Sequence, residues 1–235
     1  MVVAFATLFS ANLGAQTGVS SEGCVRGTGQ QVHHDAAWAW NGIVNAPRNA
    51  IRPKNLKWEL PIAAASAVLI EAADSPASRE IQSTSTARRW DTASTVGLDL
   101  ELGTAALMYG VGCLSHRTTL RSTGLIALEA AGAASLLDTL VKAGTNRQRP
   151  DQANSAGEFW EKGKSFPSGH AAGTFAIATV IAHQYPQKRW LKWSMYALAA
   201  GVSMARFPAK KHFLSDILIG GTLGYVTGSY FTSPH

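Results

Sequence analysis

Helix-length stretches of apolar and small residues, cut repeatedly by Gly and Pro, leave this 235-residue chain with one kind of element to build. From residue 54 onward no stretch alternates apolar and polar residues with period two, so strands have no pattern to grow from. Ala, Leu, Ile, Val and Gly instead recur over helical lengths. Breakers stand at Pro76, Gly144, Pro150, Gly163, Pro167, Pro186 and Pro208, where a helix must stop or start. Between them the pattern predicts six helices, over residues 56–73, 97–114, 121–142, 169–185, 190–206 and 212–231. The fold class expected is therefore all-α, a single bundle of about six helices. With 46% hydrophobic residues, residues 54–235 can bury one core and form one domain.

The segment ahead of that domain reads differently. Residues 1–15 hold a short apolar run ending in small residues, which resembles a secretory leader lacking its basic start. Residues 16–53 begin rich in Gly, Ser, Thr and Gln and read as a flexible lead-in. Export to the cell envelope, on the periplasmic side, is the expectation. The two cysteines are too few for a disulfide framework, although a single bridge suits an exported chain. Cys113 reads as a small core residue of an apolar helix and Cys24 as part of the lead-in.

Charge narrows the partners. Lys and Arg number 21 against 15 Asp and Glu, a net +6, which suits phosphorylated ligands or anionic head groups. The basic residues are scattered in pairs, and no nucleic-acid-binding signature accompanies them. A phosphorylated lipid or small phosphate ester is the expected partner, and nucleic acid is not.

Mean hydropathy is only +0.01, and uncharged runs such as 60–70 and 102–115 fall short of a membrane span. Glu129 and Asp138 interrupt the third helix. These features favour a membrane-associated domain over six full spans, the alternative being an integral protein with its leader retained.

Three short segments carry the chemistry. His212 and Asp216 stand at i and i+4, which stacks imidazole and carboxylate on one helix face. In that arrangement the carboxylate holds one ring nitrogen and leaves the other free, although a surface His-Asp pair has the same spacing. Pro167-Ser168-Gly169-His170 precedes a long apolar helix. Ser168 fits the N-cap, Gly169 permits close backbone approach, and the helix start favours an anion. A capping turn with an incidental histidine is the plainer alternative. Lys142 and Arg149-Pro150 place two cations around a turn, as an ordinary cationic helix end also does.

Taken together, Lys142, Arg149, Pro150, Pro167, Ser168, Gly169, His170, Arg206, His212 and Asp216 resemble, in order and spacing, the signature of the type 2 phosphatidic acid phosphatase and vanadium haloperoxidase superfamily. The resemblance covers about residues 121–231. One departure is visible, Ala205 standing where the family usually has Ser before the arginine.

The resemblance implies an all-helical core without a metal or other cofactor, with vanadate as an inhibitor or phosphate mimic. It implies that His212 attacks phosphorus, that Asp216 orients it, and that His170 protonates the leaving oxygen and later activates water. It assigns Lys142, Arg149, Arg206, Ser168 and the Gly169 N–H to the phosphate oxygens. The function implied is a metal-independent phosphatase acting through a phosphohistidine on a phosphate monoester or pyrophosphate, with a lipid as the favoured substrate. Alternatives are a soluble periplasmic acid phosphatase, a vanadate-dependent haloperoxidase, or a non-catalytic phosphate-binding membrane protein. The bromide-oxidising branch typically adds a histidine where Phe166 stands.

Overall fold

The computed structural model describes residues 53–74, 76, 84–152 and 156–233. The leader, Cys24 and nearly all of the lead-in lie outside these residues. Among the described residues there are six α-helices and no strand. They are α1 (Pro53–Val68), extended by a π-turn (Leu69–Ala73), α2 (Thr84–Leu114), α3 (Thr118–Thr145), α4 (Gly169–Gln184), α5 (Arg189–Met204) and α6 (Leu214–Thr232).

Helix α4 is the axis of the bundle, because a helix that is apolar nearly all round must be surrounded. It packs on α3, α5 and α6 and touches α2, and its Ala171, Ala172, Ala176, Ile177 and Val180 are fully buried. The partner stripe on α6 is Gly220, Gly224 and Gly228. A Cβ at these positions would lie 2.4 Å from the Ser168 carbonyl oxygen, 2.2 Å from that of Ala172 and 2.7 Å from that of Ala176. Both residue series rise together, so α4 and α6 run parallel with their backbones in near contact. Their N-termini therefore emerge side by side, which brings His170 and His212 to one end of the bundle. The ends of α3 and α5 reach the same end, and the 185–188 connection lies at the other.

Two expectations are revised. Helix α2 begins at Thr84, thirteen residues before the predicted start at residue 97. The added turns, TSTARRWDTASTV, are polar and offer no apolar stripe, but Asp91 and Ser94 turn inward onto Arg206. Tertiary pairing, not periodicity, accounts for that inward polar face. Second, Cys113 is disulfide-bonded and so is not a free core thiol.

Helix α3 ends three residues later than predicted. Asn146 adopts a left-handed conformation (φ 43°) and its N–H closes on the Lys142 carbonyl at 3.0 Å, which turns the chain and sends Arg147 into the interior.

Candidate active site

His212 lies in the connection between α5 and α6, with 3% of its surface exposed. Its Nδ1 is 2.6 Å from the Ser165 carbonyl oxygen, which can only accept, so Nδ1 carries the proton and Nε2 keeps its lone pair. Asp216 was expected to hold this nitrogen. Its Oδ2 stands 3.8 Å away, too far for a hydrogen bond but near enough to favour positive charge on the ring. Burial outweighs that attraction and pushes the imidazole below its ordinary range, so His212 is neutral at neutral pH.

Asp216 is fully buried and fully engaged. Oδ1 takes Arg147 Nη1 at 2.6 Å, while Oδ2 takes the Ser165 hydroxyl at 2.5 Å and the Phe213 N–H at 2.8 Å. Burial alone would raise its carboxyl, but His212, Arg147 and Ser165 overcome it and hold it below the usual carboxylate range.

Ser168 occupies the N-cap of α4, yet its hydroxyl makes no capping bond, and its N–H reaches the Asp216 carbonyl at 3.0 Å. Gly169 was expected to admit a ligand to the backbone. Its missing side chain also makes room for a neighbour, because a Cβ there would lie 2.8 Å from Asp138 Oδ2 and 3.5 Å from Lys142 Nζ. Asp138 and Lys142 form a 2.5 Å ion pair one turn apart on α3, tucked against the start of α4. His170 sits in the first turn of α4. Burial, with Arg206 next in weight, pushes its imidazole down to about 3.

Arg206 follows the end of α5 and is 6% exposed. Its Nη1 donates to Asp91 Oδ1 at 2.6 Å and to Ser94 Oγ at 2.9 Å. Arg149 lies in the loop after α3, its backbone N–H bonded to Gln152 Oε1 at 2.6 Å. Lys142, Arg149, Arg206, His170 and His212 lie within electrostatic reach of one another. Lys211, by contrast, is drawn off into a 3.0 Å pair with Asp151.

Four polar atoms of this group are buried without a hydrogen-bond partner: Ser168 Oγ, His170 Nε2, Arg149 Nε and Arg206 Nε. Orphaned buried polar groups are rare and need a reason. Two guanidinium donors, a hydroxyl and an imidazole nitrogen near a helix N-terminus have the chemistry that a tetrahedral oxyanion requires of its partners.

Several residues of the site were not singled out from the sequence. Asp138 carried a usable signal, its i−4 spacing from Lys142. Arg147, Ser165, Asp74, Asp91 and Ser94 carried none, since their partners lie far along the chain. Arg147 is the largest fully buried side chain among the described residues. It is 1% exposed, stacked 4.8 Å from the Phe159 ring centroid and 4.4 Å from that of Phe213, with Nε donating to the Gly157 carbonyl at 2.9 Å.

The PAP2 superfamily model matches residues 123–233, the stretch that holds every one of the predicted site residues. Residues 123–233 belong to the PAP2 superfamily. The PAP2 region begins inside α3 and ends with α6, so α1 and α2 precede it. The chain is 27% identical over 177 residues to the lipid A 1-phosphatase of Porphyromonas gingivalis. That match takes in 74% of this chain and 37% of the relative, so the chain spans little more than a third of that protein's length.

Among solved structures, the transmembrane PAP2-type phosphatidylglycerolphosphate phosphatase of Bacillus subtilis superposes with a TM-score of 0.50 at 21% identity. The superposition covers 83% of this chain and 92% of that one, and it shows the all-helical PAP2 fold. LpxE of Aquifex aeolicus gives a TM-score of 0.46 at 22% identity, over 68% of this chain and 94% of its own.

Proposed function

We propose that the chain is a phosphatase that removes phosphate from a lipid phosphate monoester or pyrophosphate, without a metal, through a phosphohistidine. The observation that carries this reading is the set of four buried, unpartnered polar atoms gathered at the end of the bundle where His212 presents its free Nε2.

In this mechanism Arg149, Arg206, Lys142, Ser168 and the N–H of Gly169 hold the phosphoryl oxygens. The His212 Nε2 lone pair forms a bond to phosphorus as the bond to the leaving oxygen breaks, and the leaving oxygen takes a proton from His170. Water then attacks phosphorus and gives a proton back to His170. The P–N bond breaks, phosphate departs and His212 is restored neutral. Most of the rate enhancement comes from cations arranged in advance around the transferring group.

His170 is neutral before substrate arrives, because burial and Arg206 hold its pKa down to about 3. The negative charge of a bound phosphate offsets Arg206, so His170 takes up its proton together with the substrate. His170→Ala is expected to lower kcat by about 10²- to 10⁴-fold on an alkyl phosphate and far less on a phenolic ester, whose leaving group needs no proton. Equal losses on both esters would remove His170 from the acid role.

A lipid substrate is supported by apolar side chains left exposed on α2, α3 and α5, among them Leu107, Leu114, Leu140 and Trp190. Helix α3 is also long and apolar enough to cross a membrane. The activity named for the Porphyromonas gingivalis relative makes a lipid A 1-phosphate the first substrate to try. The Cys113 disulfide supports an oxidising compartment and hence export to the envelope.

The deciding assay compares lipid phosphates in detergent micelles with small phosphomonoesters, in EDTA and with vanadate. Faster turnover of a lipid, undiminished by EDTA and blocked by vanadate, is expected. Loss of activity in EDTA with recovery on adding magnesium would overturn the mechanism, and preference for small esters would overturn the lipid assignment.

A further inference from the structure

The site does not end with the PAP2 region. Asp74 stands where the π-turn after α1 closes, well before residue 123, and it is fully buried. Its Oδ2 accepts Arg147 Nη2 at 2.9 Å and the Ser215 hydroxyl, and its Oδ1 accepts the Ser215 N–H at 3.2 Å. Arg147 Nη1 turns the other way, donating to Ser215 Oγ at 2.7 Å and to Asp216 Oδ1 at 2.6 Å. Asp216 Oδ2 in turn holds the Ser165 hydroxyl, and the Ser165 carbonyl holds His212 Nδ1. Hydrogen bonds, joined through the backbone of Ser165, therefore lead from the π-turn after α1 to the histidine.

The charges along that run point to a role beyond packing. One guanidinium lies between two carboxylates, and all three groups are at most 1% exposed. A group of two carboxylates and one guanidinium carries one net negative charge. Its neighbour His212 becomes a cation once Nε2 bonds to phosphorus, so the charge favours the intermediate over the resting ring. Without Asp74, Arg147 is free to rotate toward Asp216 alone, which loosens Ser165 and neutralises the charge behind the ring.

We propose that Asp74 is a positioning residue that acts through Arg147, Asp216 and Ser165 to hold the His212 ring for attack. This rests on the phosphatase reading above. It makes α1, which precedes the matched family region, part of the working site.

The test uses the full chain and the variants Asp74→Asn, Asp216→Asn and their double variant. In Asp74→Asn, kcat on one phosphate ester is expected to fall roughly 10- to 100-fold, with KM and vanadate inhibition within about twofold of wild type. In the Asp216→Asn background the same change should cost less than about threefold, because its path is already cut. Nitrogen-15 shifts of the His212 ring should show the Nδ1–H tautomer in the wild type and a mixture of tautomers in Asp74→Asn.

Full additivity in the double variant, parallel loss of vanadate affinity, or an unaltered tautomer would overturn the proposal. Should Asp74→Asn fail to fold, Ser215→Ala removes a hydroxyl shared by Asp74 and Arg147 and leaves every charge in place. A roughly 3- to 10-fold lower kcat with unchanged vanadate inhibition is then expected, and wild-type kcat would overturn the proposal. The tautomer measurement needs no turnover, so a wild type without hydrolysis defeats the phosphatase reading alone.

Discussion

His212→Ala is expected to lower turnover of every phosphate ester by about 10⁴-fold or more, irrespective of leaving group. Nothing else among the described residues presents an unprotonated nitrogen beside the cluster of Lys142, Arg149 and Arg206 except His170, and that ring lies on the other helix start. The variant also leaves the Ser165 carbonyl without its 2.6 Å donor, a loss of about 1–3 kcal/mol in stability.

Two measurements separate chemistry from folding. Rapid quench with a labelled substrate should trap an acid-labile phosphoenzyme in the wild type and none in His212→Ala, while vanadate still protects both proteins against heat. The wild-type pH profile adds a sign. Burial lowers the His212 pKa below 6.5, so the nucleophile is neutral above that depressed value and activity is lost as pH falls through it. An acid limb centred above 6.5, or a His212→Ala enzyme within tenfold of wild type, would remove His212 from the nucleophile's role.

The largest loss of stability is expected from Arg147→Met. The guanidinium neutralises Asp74 at 2.9 Å and Asp216 at 2.6 Å, and neither carboxylate has water to fall back on. Methionine fills much of the volume between Phe159 and Phe213 but leaves two buried carboxylates facing each other. Removing one partner from such a group costs about 3–5 kcal/mol, which corresponds to a fall in melting temperature of about 10 °C. Arg147→Lys should recover little of this, because one ammonium cannot span both carboxylates, Ser215 and the Gly157 carbonyl as the planar fork does. A melting temperature for Arg147→Met equal to the wild type would show that the two carboxylates are satisfied some other way.

The sequence by itself determined the helical architecture and singled out the residues proposed to bind the anion. Apolar and small residues at helical spacing, with Gly and Pro between them, can form helices and little else, so all six elements were legible with their order. Four of the predicted residues each supply a buried polar atom that lacks a partner, as side chains that bind an oxyanion would.

What only the tertiary structure decided is what stands behind those residues. The i, i+4 spacing of His212 and Asp216 predicts a direct contact. The fold instead interposes Ser165, whose carbonyl takes the ring nitrogen and whose hydroxyl takes the carboxylate. The first three turns of α2 are polar and fall outside the predicted helix, yet they fold as helix with Asp91 and Ser94 inward to meet Arg206, more than a hundred residues away. Arg147 stands between Lys142 and Arg149 with no spacing signal of its own, and its two carboxylate partners come from the π-turn after α1 and from α6. Local spacing reports on neighbours within about one helical turn. Buried charges are paired by whichever distant groups the packing delivers, and no periodicity in the chain encodes that meeting.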